Sequence, residues 1–558
     1  MPQPGSRRHF IQAAAAAVGS VTLPRVGSAE PASQAVARPR IAAIDYRSDN
    51  ATFTDPATVA LHAKYAFSLI GMLPSQSSGT GRQFCVDLKA ANPSIKIGQY
   101  TILSQMYDSG GTFQQLWESI NSGDGQGHDW WARAALNSPV DPGGKTKPVG
   151  YEQYTAWSVN QTRFAPADAN GKRWPQLCAQ GYHDLTLRQL WTAGVLNFVF
   201  NDNVWWHPYP ESDGNLPAHA LPDGRCADYR LNGSNNDPLD AGLGRSWRKG
   251  YVDYWAALDA LMPGVKICAN ADNDRSTYVS CLSTPELSEQ ADYAFIEGLS
   301  GKSWSPATFT TMDNVMLRYR SQLQHVKKTV FVNTYVDTVA DTLGRTLQKA
   351  RFGLGLSMLD DGYACIADQP GGATMRPFWF DELEAAVGSS IEPGPTKPLA
   401  NGMWMRKYRH GCVVLNPMDN GGRWMGNGGS ITLQRQGGVV TLTRPLGVPP
   451  KKAGDRVRIQ DCNDPSFNGV FLLTEVTATT LRWAQAGSDA LWAQPALRGF
   501  FQTLTSLDLS GQGYRRLLGT QDSHNNYLDG GTSQNNGLAV DWLTLWSNDA
   551  IVLLTAQP

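Results

Sequence analysis

Two short apolar runs each end in an isolated acid: NFVFNDNVWW (197–206) reaches Asp202, and DYAFIEGLS (292–300) reaches Glu297. A carboxylate at the C-terminal end of a buried strand stands where a parallel barrel keeps its chemistry. Two such acids supply the pair that cleavage of a glycosidic bond requires. One protonates the leaving oxygen, and the other attacks or activates water. The carboxyls lie about 5–5.5 Å apart in retaining enzymes and farther apart in inverting ones. Retention is expected here, with the shorter Asp202 as nucleophile and the longer Glu297 as proton donor. Phe295 and Trp304 are candidate apolar walls that would raise the donor's pKa.

Other strand ends offer polar groups for the same face: Asp45 with Tyr46, Tyr100, Asn203 with Trp205 and Trp206, Asn270 with Asp272, and Asn333 with Tyr335. These are expected to bind and orient a sugar ring. Asp360 and Asp361 form a second choice of active acid. Neighbouring residues on a strand point to opposite faces, so at most one of them enters a pocket.

Eight strand-length apolar runs position these residues, beginning at Ile41, Tyr65, Ser94, Asn197, Val265, Tyr293, Thr329 and Gly355. Near-continuous apolar strands belong to a parallel sheet covered on both faces. With helical segments between them, they predict an α/β fold, a (β/α)8 TIM barrel over residues 39–390. Asp184 is expected to cap a helix at LTLRQLW, and RSWRKGYVDYWAALDALMPG reads as a helix stopped by Pro-Gly. The connections 103–196 and 207–243 are longer than a barrel needs. They carry Trp130, Trp131, Trp157 and Trp174, and at the start of the second His207 beside Trp206. Stacking on sugars and packing against the barrel both fit these aromatics.

After a Pro-rich linker the texture becomes Gly-punctuated and alternating, which predicts a C-terminal antiparallel β-sandwich over 391–558. Residues 439–487 are strand-rich and self-contained, and read as a small nested β-barrel module inserted at an exposed turn.

The chain of 558 residues is long enough for two or three domains. Its 48 Lys and Arg against 49 Asp and Glu, with no run of like charge, argue against a nucleic-acid partner. SRRHFIQ (6–12), an apolar stretch (13–23) and a small-residue site near 27–29 resemble a twin-arginine signal over 1–29, followed by a linker over 30–38. A periplasmic or extracellular location is therefore expected, with no membrane span. No cofactor is expected. None of the eight cysteines has CxxC spacing; Cys178 with Cys226 and Cys268 with Cys281 are plausible disulfides in an oxidising compartment. GxSxG and HExxH are absent, so an esterase elbow and a zincin site have no support, and no metal site is expected. NADNDR (270–275) lacks the EF-hand spacing and reads as a solvated loop.

VFNDNVWW, YAFIEGLS, SMLDDGY, HGCVVLNP and YRRLLGTQD together resemble the TIM-barrel glycosyl-hydrolase-like families. These are related in outline to the endo-α-1,4-polygalactosaminidase group and to α-galactosidase-type barrels. The resemblance implies an exported glycoside hydrolase with Asp202 and Glu297 as its acids and a polysaccharide or oligosaccharide substrate. The sequence departs from the family pattern at Asn201, where an apolar residue is expected before Asp202. The alternatives are a non-catalytic carbohydrate-binding or adhesion protein on the same barrel, and a metal-dependent deacetylase or lyase.

Overall fold

The computed structural model describes residues 37–47, 50–71, 79–107, 116–118, 130–139, 142–149, 156–212, 220–221, 224–271, 282, 284–300, 316, 329–341, 343–372, 374–394, 398–416, 432–443, 452–460, 462, 464–493, 500–519 and 535–555. Asp272, Cys281, Trp304 and the signal-like segment 1–29 lie outside them.

The main sheet runs through β1 (Ala42–Asp45), β2 (Phe67–Ile70), β3 (Lys96–Ile102), β4 (Phe198–Val204), β5 (Lys266–Ala271), β6 (Tyr293–Ser300), β7 (Val330–Val336) and β8 (Tyr363–Asp368). These strands pair in parallel in that order. A short antiparallel β9 (Arg376–Pro377) follows on β8. A parallel bridge between Ile41 and Ala364 brings β8 back towards β1, so the sheet is nearly closed. Tyr46 N donates to Met375 O at 2.9 Å, which tacks the β9 segment over the same seam.

Alternation along these strands divides the core in two. Ile97, Val199, Ile267, Ala294 and Val332 face the surrounding helices. Ala42, Phe67, Phe198, Phe295 and Phe331 face the interior. Phe67 meets Phe331 and Tyr363 with ring centroids 5.0 and 4.8 Å apart, which forms an aromatic floor. Gly98 makes room for that floor, because a Cβ there would lie 2.0 Å from the Phe198 ring. Counting inward positions up from the floor gives Phe198, Phe200, Asp202 on β4 and Tyr293, Phe295, Glu297 on β6. The period of two carries both acids to the top of the interior face.

The last strand differs from the sequence expectation. GLSM belongs to the helix Leu343–Met358, and β8 begins only at Tyr363. This helix is apolar on two sides because it is covered on two sides. A Cβ on Gly353 would lie 2.1 Å from Thr334 of β7, and one on Gly355 would lie 2.5 Å from Ala550 in the tail. Asp360 and Asp361 therefore precede β8 and sit at the end of the sheet opposite the acids, where Asp361 pairs with Arg406 at 3.0 Å. They are not candidates for the active acid.

Asp184 does not begin a helix. That helix starts at Trp174 with Pro175 in its first turn, and a π-helical stretch His183–Leu187 carries it on to Arg188–Thr192. Asp240 caps the helix Ala241–Leu261 by accepting from Leu243 N at 2.7 Å. The two long connections interlock over the sheet through the strand pair Lys147–Pro148 with Glu211–Ser212. Buried Glu211 accepts from Ser158 at 2.9 Å and from Tyr229 at 2.8 Å.

The tail is β-rich. Trp404–Tyr408, Gly411–Asn416, Asp549–Thr555 and Tyr514–Arg516 form one antiparallel sheet. It shares a core with Trp542–Trp546 of a second, eight-stranded sheet. A separate core of Val440, Leu442, Val457, Leu473, Leu481 and Trp483 extends beyond 439–487 at both ends, to Leu433 and Ala490. A buried bidentate pair, Arg351 with Asp549 at 3.0 Å, ties the barrel-side helix to the tail. Cys178, Cys226 and Cys268 are buried free thiols, so the expected Cys178–Cys226 disulfide is not formed and Cys268 is unbonded.

Candidate active site

The register of three neighbouring strands builds the site. β5 lies between β4 and β6, with Phe200 opposite Cys268 and Phe295 opposite Asn270. Side chains two residues beyond Phe200 and Phe295 then flank Asn270. Asn270 Nδ2 donates to Asp202 Oδ1 at 2.7 Å and to Glu297 Oε2 at 2.9 Å. One nitrogen within reach of both carboxylates caps the separation of those two oxygens at about 5.6 Å, against about 5–5.5 Å between the carboxyls of retaining glycosidases.

The β4–β5 pairing slips between Asn201 and Val204. Asn203 sits in that slip with φ of 52°, a left-handed conformation that non-glycine residues rarely adopt. The slip turns the Asn203 N–H onto Asp202 Oδ1 at 3.0 Å. The Asn203 side chain donates to Gln105 Oε1 at 3.0 Å, and its carbonyl accepts from Tyr251. Asn201, the departure from the family pattern, faces the helix layer, where its Oδ1 accepts from Trp255 at 2.9 Å. It pins the strand from behind and leaves Asp202 aimed inward.

Tyrosines complete the ring. Tyr100 donates to Asp202 Oδ2 at 2.9 Å and Tyr335 to Glu297 Oε1 at 2.5 Å. Tyr46 packs edge-on against Tyr100 with ring centroids 5.3 Å apart. Burial, reinforced by the negative charge of Glu297, pushes the Asp202 carboxyl up to about 6, although Asn270, Tyr100 and Asn203 donate to it and pull the other way. Burial likewise holds the hydroxyls of Tyr46, Tyr100 and Tyr335 well above the usual phenol range, so all three stay protonated. Asp202 and Glu297 are nonetheless only partly buried. Every hydrogen-bond partner shown for the two carboxylates is a neutral donor. Such a pair can hold one proton between two acids in an apolar setting.

Among the residues singled out in the sequence, the structure brings together Asp202, Glu297, Asn270, Tyr46, Tyr100 and Tyr335, with the backbone of Asn203. Asn333 points the same way, but its side chain is spent within the sheet. It accepts from Gly298 N at 3.0 Å and donates to Cys365 O at 3.0 Å. Asp45 is a correction. It alternates with Ile44 and Tyr46, so it faces the helix layer, fully buried against Arg47 and His62. Burial by itself would raise its carboxyl, but Arg47 and His62 outweigh that and hold it below the usual range. Trp205 is 4% exposed and packs into the helix-side core, and Trp206 lies under Arg248. Trp130, Trp131 and Trp174 are buried within the first long connection, so they pack loops rather than line a cleft. Gln105 was not anticipated. It lies just past β3 in a short strand Gln105–Tyr107, and only its pairing with Asn203 marks it. Among the described residues no group of His, Cys, Asp and Glu forms a metal site.

No protein-family model matches the chain, and no curated protein matches it. Solved structures do. The glycoside hydrolase domain of a PelA variant from Pseudomonas aeruginosa is 12% identical, with a TM-score of 0.33 over 59% of this chain and 94% of that one. An alpha-amylase from Lactobacillus plantarum is 10% identical, with a TM-score of 0.38 over 83% of this chain and 98% of that one. A cyclic alpha-maltosyl-(1→6)-maltose hydrolase from Arthrobacter globiformis, in complex with maltose, is 10% identical, with a TM-score of 0.34 over 81% and 93%. At such TM-scores the functional reading rests on the residues of the site.

Proposed function

We propose that this chain is a glycoside hydrolase that cleaves a polysaccharide or oligosaccharide with Asp202 and Glu297, retaining the anomeric configuration. The observation that carries the reading is the single amide nitrogen hydrogen-bonded to both carboxylates. Two oxygens held at most about 5.6 Å apart favour the retaining geometry over the wider one in which an inverting enzyme places water between its acids. The finer reading of the scaffold, a complete (β/α)8 barrel followed by a β-sandwich, belongs to the same proposal. So does export through a twin-arginine-type start.

Burial and the adjacent Glu297 charge raise the Asp202 carboxyl, which favours Asp202 as donor, the reverse of the roles expected from side-chain length. Asp202, pushed up to about 6, carries a proton in mildly acidic solution and serves as donor. Glu297 is the nucleophile, with both oxygens accepting hydrogen bonds. In the first step a Glu297 oxygen bonds the anomeric carbon, the glycosidic C–O bond breaks, and the leaving oxygen takes the Asp202 proton. In the second, water bonds that carbon, its proton returns to Asp202, and Glu297 leaves as carboxylate. The neutral hydroxyls of Tyr100 and Tyr335 and the amide of Asn270 hold the acids in place throughout.

The test is release of reducing ends from a panel of polysaccharides by wild type, D202N and E297Q. Turnover by wild type, lost in both variants with binding retained, is the expected result. Tight binding without any new ends would replace the enzyme with a carbohydrate-binding protein.

A further inference from the structure

An amide NH2 group has two hydrogens and no lone pair free to accept, so Asn270 Nδ2 can face two carboxylates only as a donor to both. Its hydrogens are therefore spent on the acids. We propose that Asn270 is a positioning residue that clamps the two acids together, turning one oxygen of each inward and leaving the other oxygen of each to a tyrosine. The role in turnover rests on the reading of Asp202 and Glu297 as the acid pair. The clamp itself is a property of three strands in register.

The geometry also locates the proton. Asp202 Oδ1 receives Asn270 Nδ2 at 2.7 Å and Asn203 N at 3.0 Å, and neither donor can accept in return. A proton held by Asp202 therefore sits on Oδ2. There Tyr100, whose hydroxyl can accept as well as donate, stands 2.9 Å away. The substrate's leaving oxygen must approach Oδ2, on the Tyr100 side of the pair. Asn270 is 8% exposed and its amide nitrogen is engaged on both sides, so it is poorly placed to read a sugar hydroxyl through that atom. Among the described residues, the titratable groups around the clamp are Tyr46 beyond the end of β1, Tyr100 on β3, Cys268 on β5, Tyr335 on β7 and Cys365 on β8. Each of these five is held in its neutral form by burial. A shift near neutrality then reports on the carboxyls.

The experiment follows the protonated-carboxyl C=O stretch by infrared difference spectroscopy across a pH titration of the full chain, in wild type, D202N, Asn270→Ala and Asn270→Asp. The band that D202N removes belongs to Asp202. The clamp's N–H donors favour the ionised carboxylate, so their loss should move that band's midpoint upward by about one pH unit in N270A. It should move further in N270D, which keeps the shape but replaces donors with a third acid. Thermal melting of both variants checks that they fold. An unchanged midpoint in folded N270D overturns the clamp. With an active panel substrate, kcat should fall by about tenfold or more with KM nearly unchanged. A raised KM at constant kcat would make Asn270 a sugar-binding residue and also overturn the proposal. If wild type cleaves no glycan while the midpoint moves as expected, the hydrolase reading fails and the clamp stands.

Discussion

Tyr335 donates its hydroxyl to Glu297 Oε1 at 2.5 Å, and Tyr100 makes the corresponding contact to Asp202 Oδ2 across the pair at 2.9 Å. The two phenols hold the outer oxygens of the acids that Asn270 joins on the inside. A hydrogen bond to a charged group contributes about 1.5–3 kcal/mol, so Tyr335→Phe and Tyr100→Phe should each lower kcat/KM by about 10- to 100-fold. Steady-state kinetics on the first active glycan of the panel measures this. A loss in KM alone, with kcat intact, would move both tyrosines from positioning the acids to holding the sugar.

With Asp202 as the donor proposed above, its carboxyl sets the alkaline limb of the pH profile. A donor pushed up to about 6 loses its proton above that pH, so kcat/KM should fall as pH rises through about 6. A profile flat from pH 5 to 8 would remove Asp202 as donor.

The same shift has a consequence for stability. A carboxyl whose folded pKa lies above its unfolded value binds protons better in the fold. Its contribution is present below the unfolded pKa and is lost as pH rises towards about 6. D202N removes that cost, so at neutral pH it should be more stable than wild type by about 1 kcal/mol or more, while inactive. The difference should vanish near pH 4. Denaturant melts at the two pH values give the comparison.

The tail is fastened to the barrel by a buried ion pair, Arg351 with Asp549, whose side chains are 1% and 3% exposed. Removing one partner strands the other charge, so R351A or D549A should each cost about 3 kcal/mol or more, and an R351M/D549L double variant should regain much of it. Additive losses in the double variant would show that the two residues act independently.

Asp360 and Asp361 provide a control. They lie at the opposite end of the sheet, so D360N and D361N should leave kcat/KM within about twofold of wild type once folding is matched. A large loss confined to kcat would contradict that placement.

Seven of the eight parallel strands, and the places of Asp202 and Glu297 near the ends of two of them, were legible because apolar runs ending in a polar residue report burial and position directly. The eighth was misplaced. Gly353 and Gly355 let one helix pack against β7 and the tail at once, and a helix covered on two sides loses the periodicity that separates it from a buried strand. Asp45 failed for a different reason. Standing at a strand end does not say which face a side chain takes, and alternation with Ile44 and Tyr46 puts it outward. The bridging role of Asn270 was invisible because it depends on β5 lying between β4 and β6 in register, a relationship between strands that no local pattern carries.

The most direct test of the paired acids is azide rescue of E297A and D202A on an aryl glycoside of the sugar found by the panel, with product configuration read by NMR. Glu297 as nucleophile and Asp202 as acid/base predict an inverted glycosyl azide from E297A and a retained one from D202A. Exchanged configurations would swap the roles. Full activity in both variants without azide would contradict the account.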